Sequence, residues 1–158
     1  MNALSTATLN VARESLGMLR DAVSGLPAEA LDWKPAPDAN SLTVLTMHSV
    51  SATLFWVRAG VGEDVRFGAY RKEERTPAFK SSGRSEEELL ATIDGGLAEL
   101  EAILSRSSEL DPDAMREWPD HPEMNKSAVQ CLVHSMAHLR EHVGQAQLTR
   151  DLWLASRK

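Results

Sequence analysis

Residues 126–154 read KSAVQCLVHSMAHLREHVGQAQLTRDLWL, the longest stretch of the chain in which apolar residues keep a helical spacing. Steps of three and four residues separate its apolar positions, which places them on one face of a helix. These positions are Val129, Leu132, Met136, Leu139, Val143 and Ala146. The stretch contains no proline, and Gly144 is its only glycine. The pattern therefore predicts one long amphipathic helix from about Lys126 to Leu154.

Three further amphipathic segments precede this helix. Their ranges are Ser5–Val23, Ser41 to Gly60 or Gly62, and Ser85–Leu104. Ser41 and Ser85 are good N-caps, and Glu88 completes a capping-box signature three residues after Ser85. Gly95 and Gly96 weaken the third segment by roughly 1 kcal/mol each relative to alanine, which favours a kink or a close helix contact there.

The segments between the predicted helices are rich in proline or charge and are interpreted as connections. They cover Leu26–Asn40, Gly62–Ser82 and Ser105–Asn125. Four amphipathic helices with long connections predict an all-α fold, a four-helix bundle formed by a single domain over residues 1–158. The less favoured alternative is an α+β fold with a strand at Val65–Tyr70.

The composition excludes several classes of protein. Hydrophobic residues make up 42% and charged residues 25% of the chain, too apolar a balance for intrinsic disorder. A net charge of −6 argues against a nucleic-acid partner. No apolar run approaches the ~20 residues of a membrane helix, so we expect a soluble, cytoplasmic protein without a membrane partner. The single cysteine, Cys131, cannot form an internal disulfide.

Histidines carry the strongest chemical signal. His134, His138 and His142 are spaced four residues apart in the last predicted helix, and His48 interrupts the apolar stripe of the second. Two imidazoles at i and i+4 can bind one metal ion, and a core-facing His48 could supply a third ligand. The alternative is that these are core histidines, hydrogen-bonded to a carbonyl or a hydroxyl.

Two segments resemble the DinB-like family, which also includes YfiT-like metal-dependent hydrolases. One is His134–Gln145, HSMAHLREHVGQ, followed by Arg150; the other runs from Leu31–Pro37, LDWKPAP, through Ser41 to Thr46–His48. The resemblance implies an up-down-down-up four-helix bundle in which His48, His138 and His142 hold one divalent metal ion. It gives His134 a role beside the ligands or facing the substrate. One departure is Val143, which stands where relatives often have arginine.

Three neutral imidazoles leave a divalent ion with at least one open coordination position, which favours catalysis. Zinc or nickel is the favoured ion, and iron or manganese also accepts imidazole. Bound water would make the protein a hydrolase of a small molecule. The resemblance also implies a second reaction, S-transfer with bacillithiol or mycothiol as co-substrate. The alternatives outside catalysis are a stress-related protein that binds a metal or small ligand and a plain helical interaction protein.

Other residues carry weaker signals. His134, Glu141 and His121 are weak catalytic candidates, and Gln145 could orient a ligand. The favoured interpretation of Glu141 is a solvated carboxylate on the surface, and that of Cys131 is a buried thiol. His121 is interpreted as an ordinary polar residue of a loop. Trp153 with Leu152 and Leu154 would form a costly exposed patch on a monomer, so we expect a homodimer, as the family resemblance also suggests.

Overall fold

Four long helices form the body of the protein, and the computed structural model describes residues 1–157. The long helices are α1 (Ala3–Val23), α3 (Leu42–Val61), α6 (Glu86–Ser105) and α7 (Ala128–Ala155). Short helices α2 (Ala28–Leu31), α4 (Phe67–Tyr70) and α5 (Thr76–Phe79) lie in the connections. A π-helical turn, Arg71–Arg75, joins α4 to α5, and a 3₁₀ turn covers Pro122–Met124. Two-residue strands β1 (Met115–Arg116) and β2 (Lys126–Ser127) pair antiparallel.

The N-termini of the long helices are closed by side chains. Asn2, Ser41, Ser85 and Ser127 each accept a hydrogen bond from a backbone N–H in the first turn. Ser85 forms the predicted capping box with Glu88, and Ser127 forms another. Capping satisfies donors that the first helical turn leaves free, so these short polar residues set where each helix begins.

Cross-helix contacts establish the direction of each long helix. Arg140 bonds to Glu14, and Arg150 donates to the carbonyl of Ala22, so α1 and α7 run parallel. The amide of Gly25 donates to Glu86, which places the end of α1 at the start of α6.

The two middle helices complete the bundle. Ser135 of α7 donates to the carbonyl of Thr53, and Leu132, earlier in α7, meets Gly60, later in α3, so these helices are antiparallel. The order is up-down-down-up, which confirms the predicted all-α four-helix bundle. The helices α1 and α3 lie diagonally across it and hardly touch.

The core consists of the apolar stripes of all four helices. Its largest fully buried side chains are mostly leucines, among them Leu16, Leu19, Leu45, Leu89, Leu100 and Leu139. A second, aromatic cluster covers one end of α3, where Phe55 stacks on Tyr70 with ring centroids 4.3 Å apart and Trp118 lies 6.0 Å from Phe55. Each large buried side chain stabilises the fold by roughly 1.5–3 kcal/mol.

Two glycines permit close packing of the helices. A Cβ atom on Gly96 would lie 2.5 Å from Cγ1 of Val50, and one on Gly60 would lie 2.7 Å from Cδ2 of Leu132. Neither distance is tolerated by real side chains. The expected close helix contact at Gly95–Gly96 therefore exists, and it is made by Gly96 against α3.

The connections are more helical than predicted. The segment Gly62–Ser82 was expected to be a loop, with a strand at Val65–Tyr70 as the alternative, but it contains α4, the π-helical turn and α5. Tyr70 and Ala78 are buried there, so tertiary contacts stabilise turns that the charged sequence alone would not form. The segment Ser105–Asn125 remains mostly irregular, as predicted.

Trp153 does not contribute to an exposed patch. It is 4% exposed and packs edge-on against Trp33 with ring centroids 5.6 Å apart. The exposed large side chains of α7 are instead Val133, Leu148, Leu152 and Leu154. Among the residues described, no helix has the length and apolar character needed to cross a membrane.

The adjacent glycines of α6 provide a matched test of packing. We expect Gly95→Ala to raise the free energy of unfolding by about 0.5–1 kcal/mol, because alanine favours the helix and its Cβ meets nothing within 4 Å. Gly96→Ala should lower it by about 1–3 kcal/mol, since Val50 must move. Urea unfolding of both variants measures the difference, and equal stabilities would contradict the contact.

The homodimer stays a prediction, with Leu148 and Leu152 of α7 now its basis. Light scattering should report a particle of twice 17.4 kDa at micromolar concentration. Leu148→Glu, which places a charge on a side chain that is 59% exposed, should shift the particle to the monomer mass without lowering stability. A wild-type monomer would overturn this prediction.

Candidate metal centre

The antiparallel contact between α3 and α7 brings three of the five histidines together. His48 projects from the middle of α3, and His138 and His142 project from successive turns of α7. His48 and His142 are buried, and His138 is half-buried. Spacing of four residues places the two α7 rings on one face, and helix packing adds the third from the opposite side.

The three rings point their Nε2 atoms at one another. The Nε2 atoms of His48 and His138 lie 3.2 Å apart, and those of His138 and His142 lie 3.1 Å apart. One ligand nitrogen from each ring lies within 4.8 Å of the others. Two ligands at the usual zinc–nitrogen length in tetrahedral geometry lie roughly 3.3 Å apart, so the His48–His138 and His138–His142 spacings are compatible with ligands of a single ion.

The protonation state of His48 and His138 is compatible with metal binding. Burial, with the neighbouring His138 and His142, lowers the pKa of His48 from 6.5 to about 3. Burial, with His142 and His134 nearby, lowers the pKa of His138 from 6.5 to about 4. Both imidazoles are therefore neutral at pH 7 and keep a lone pair, which metal ligation by histidine requires.

Gln145 orients one of the three rings. Its Oε1 atom lies 2.9 Å from Nδ1 of His142, and an amide oxygen can only accept, so Nδ1 carries the proton. The lone pair of His142 is then on Nε2, the atom that faces His138. A polar partner on the other ring nitrogen is typical of metal-binding histidines. The Nδ1 atoms of His48 and His138 are buried without a protein partner in the part of the chain described.

Aromatic side chains lie against His48 and His134. Phe79 of α5 lies against His48 with ring centroids 4.4 Å apart, and Trp56 of α3 meets His134 at 4.7 Å. Phe79 was not among the predicted site residues, because its segment was interpreted as a loop. Its only sequence signal is an aromatic residue within a charged stretch, which is too common to be informative.

His134 lies beside the three-histidine group but does not belong to it. Its ring centroid is 6.0 Å from that of His138, and burial lowers its pKa. A groove of about 380 Å³ begins at His134 and is lined also by Asn125, Lys126, Val129, Gln130 and Val133. His134 therefore lies between His138 and this groove, and its role stays a prediction.

The remaining candidates lie elsewhere. Glu141 is exposed on α7, and His121 packs on Phe67 with its Nδ1 3.3 Å from Glu123. Cys131 is fully buried, and burial raises the pKa of its thiol to about 11, so it stays protonated at neutral pH. These placements agree with the surface, loop and core interpretations that the sequence favoured for them.

The lowered pKa values predict how stability depends on pH. Below pH 6.5 the unfolded chain binds protons at His48 and His138 that the folded, metal-free protein rejects until about pH 3 and pH 4. The free energy of unfolding should therefore fall with decreasing pH, by up to about 1.4 kcal/mol per pH unit for each histidine. Urea unfolding between pH 6.5 and 5 measures the slope, which His48→Asn should make shallower. An unchanged slope would contradict the shift assigned to His48.

Comparison with known proteins gives two findings, one from sequence and one from structure. The model of the DinB superfamily matches residues 12–146, which include all three histidines. A crystal structure of a conserved protein from Enterococcus faecalis is similar in fold, with a TM-score of 0.76 at 15% identity. The match covers 98% of this chain and 99% of the other.

No curated protein matches the sequence. At 15% identity the structural likeness concerns the fold alone, whereas the family model covers most of the chain. The chain belongs to the DinB superfamily.

Proposed function

We propose that this protein is a metal-dependent enzyme that acts on a small molecule, with one divalent ion held by His48, His138 and His142. The observation that carries the proposal is the convergence of three imidazole nitrogens, two from buried side chains and one from a half-buried side chain, from two helices. Zinc or nickel suits this donor set best, and iron or manganese is compatible with it. DinB superfamily membership is compatible with metal binding.

The reaction we propose is activation of a small nucleophile at an open coordination position. When bound, the ion supplies Lewis-acid activation, either of water for hydrolysis or of a low-molecular-weight thiol, such as bacillithiol or mycothiol, for S-transfer. Three protein ligands leave such a position, whereas structural sites are usually closed by four.

The side chains around the ligands have separable tasks. Gln145 holds the proton of His142 on Nδ1 and so keeps its Nε2 available as a ligand. Phe79 packs against His48 and limits the access of water to that ring. His134, neutral at pH 7 and open to the groove, can accept a proton from a substrate at a ring nitrogen.

A non-catalytic metal-binding protein is the second candidate function. It rests on the same three-histidine group and requires no reacting substrate. A chelator that removes the ion and lowers the melting temperature, in a protein without hydrolase or thiol-transfer activity, would support this alternative.

The first test is the metal content of untagged protein purified without chelator or metal resin. Plasma mass spectrometry should find about one divalent ion per chain, and His138→Ala should lose it because one of three ligands is absent. His121→Ala is the matched control, since His121 lies in the loop before α7 and contacts Phe67 and Glu123. Full metal content in His138→Ala would show that the ligand assignment is wrong.

A further inference from the structure

Two cations lie beside the histidines, and each is stacked on an aromatic ring. The Cζ atom of Arg75 is 4.8 Å from the ring centroid of Phe79, the ring that packs on His48. On the other side, Nζ of Lys126 is 5.5 Å from the ring centroid of Trp56, which meets His134. The structure therefore contains two stacks of the form cation, aromatic ring, histidine.

The histidines of the two stacks, His48 and His134, both lie next to His138. The ring centroids of His48 and His134 lie 5.0 Å and 6.0 Å from that of His138. The aromatic rings restrict where each cation can lie, because a cation over a ring face is attracted by about 0.5–1 kcal/mol at an exposed site. Phe79 and Trp56 thus favour positions of Arg75 and Lys126 near His48 and His134.

Neither cation is neutralised by the protein. Within residues 1–157, seven arginines form ion pairs with carboxylates, whereas Arg75 and Lys126 form none. The carboxylate next to Arg75, Glu74, instead interacts with Arg58 and Glu99. Other arginines and lysines of these residues also lack an ion pair, but Arg75 and Lys126 are distinguished by their position over aromatic rings that pack on His48 and His134.

The charge balance at the site favours an anion. Three neutral imidazoles leave the charge of a divalent ion uncompensated, and Arg75 and Lys126 add two positive charges near it. The charged groups that act on His48, His138 and His134 include those two cations and no carboxylate. An anionic ligand would relieve this repulsion, and the groove of about 380 Å³ beside Lys126 has the size of a small-molecule site.

We propose that the metal centre takes a small anionic substrate and that Arg75 and Lys126, positioned by Phe79 and Trp56, supply the positive charge that attracts it. This inference rests on the proposed function, since it specifies the substrate class of the same site. It assigns the two cations to substrate binding and leaves the ligation of the metal to the three histidines.

Three small thiols of similar size and different charge test the proposal. Cobalt(II) is loaded into the full chain, and its visible absorption is followed during titration with mercaptoacetate, which is anionic, 2-mercaptoethanol, which is neutral, and cysteamine, which is cationic. We expect mercaptoacetate to bind about tenfold more tightly than 2-mercaptoethanol and cysteamine to bind most weakly. The preference should shrink as the salt concentration rises.

Charge-removing variants identify the groups responsible. Arg75→Gln and Lys126→Gln should each reduce the preference for mercaptoacetate about threefold and leave both the cobalt stoichiometry and the Kd of 2-mercaptoethanol unchanged. Arg75→Lys should retain most of the preference because it retains the charge. Lys72→Gln, which removes a charge from the same exposed turn, is the control and should have no effect.

The outcomes separate this inference from the proposed function. A wild-type chain that binds no cobalt overturns the proposed function and the inference with it. Cobalt binding with equal affinity for the three thiols, or with a preference that both glutamine variants retain, overturns the inference alone. A preference lost equally in Lys72→Gln also overturns it, because the effect would then arise from net charge and not from a site.

Discussion

The close antiparallel packing of α3 on α7 is the contact on which both the fold and the candidate site depend. Gly60 lets the side chain of Leu132 approach the backbone of α3, and Ser135 adds a hydrogen bond to the carbonyl of Thr53. Because the two helices approach so closely, the Nε2 atoms of His48 and His138 lie next to each other. The packing of α3 on α7 therefore buries leucines and also removes the rings of His48 and His138 from solvent.

Burial of these rings is costly to the metal-free protein. A buried polar atom without a partner costs roughly 1–3 kcal/mol, and Nδ1 of His48 and Nδ1 of His138 are two such atoms. The extensive leucine core offsets this cost, so the bundle can hold neutral imidazoles in place before a ligand arrives. Violations of the usual burial rules tend to concentrate at functional sites, and here they coincide with the three histidines.

The segment from α4 to α5 gives the site its electrostatic character. It supplies Phe79 to His48 and places Arg75 over Phe79, while Tyr70 anchors the segment in the aromatic cluster. Its π-helical turn, Arg71–Arg75, is a conformation often found at functional sites. An acidic protein thus places two cations, Arg75 and Lys126, over aromatic rings that pack on His48 and His134.

The sequence by itself determined the four long helices, their caps at Ser41 and Ser85, the all-α class and the candidate ligands. Apolar spacing and capping residues are local signals, and two distinctive segments resembled the DinB-like family. Tertiary structure alone decided that α3 and α7 bring three Nε2 atoms together, that Trp153 is buried against Trp33, and that Phe79 and Arg75 adjoin His48. These features join residues far apart in the chain, and their contacts depend on helix packing that no local pattern records.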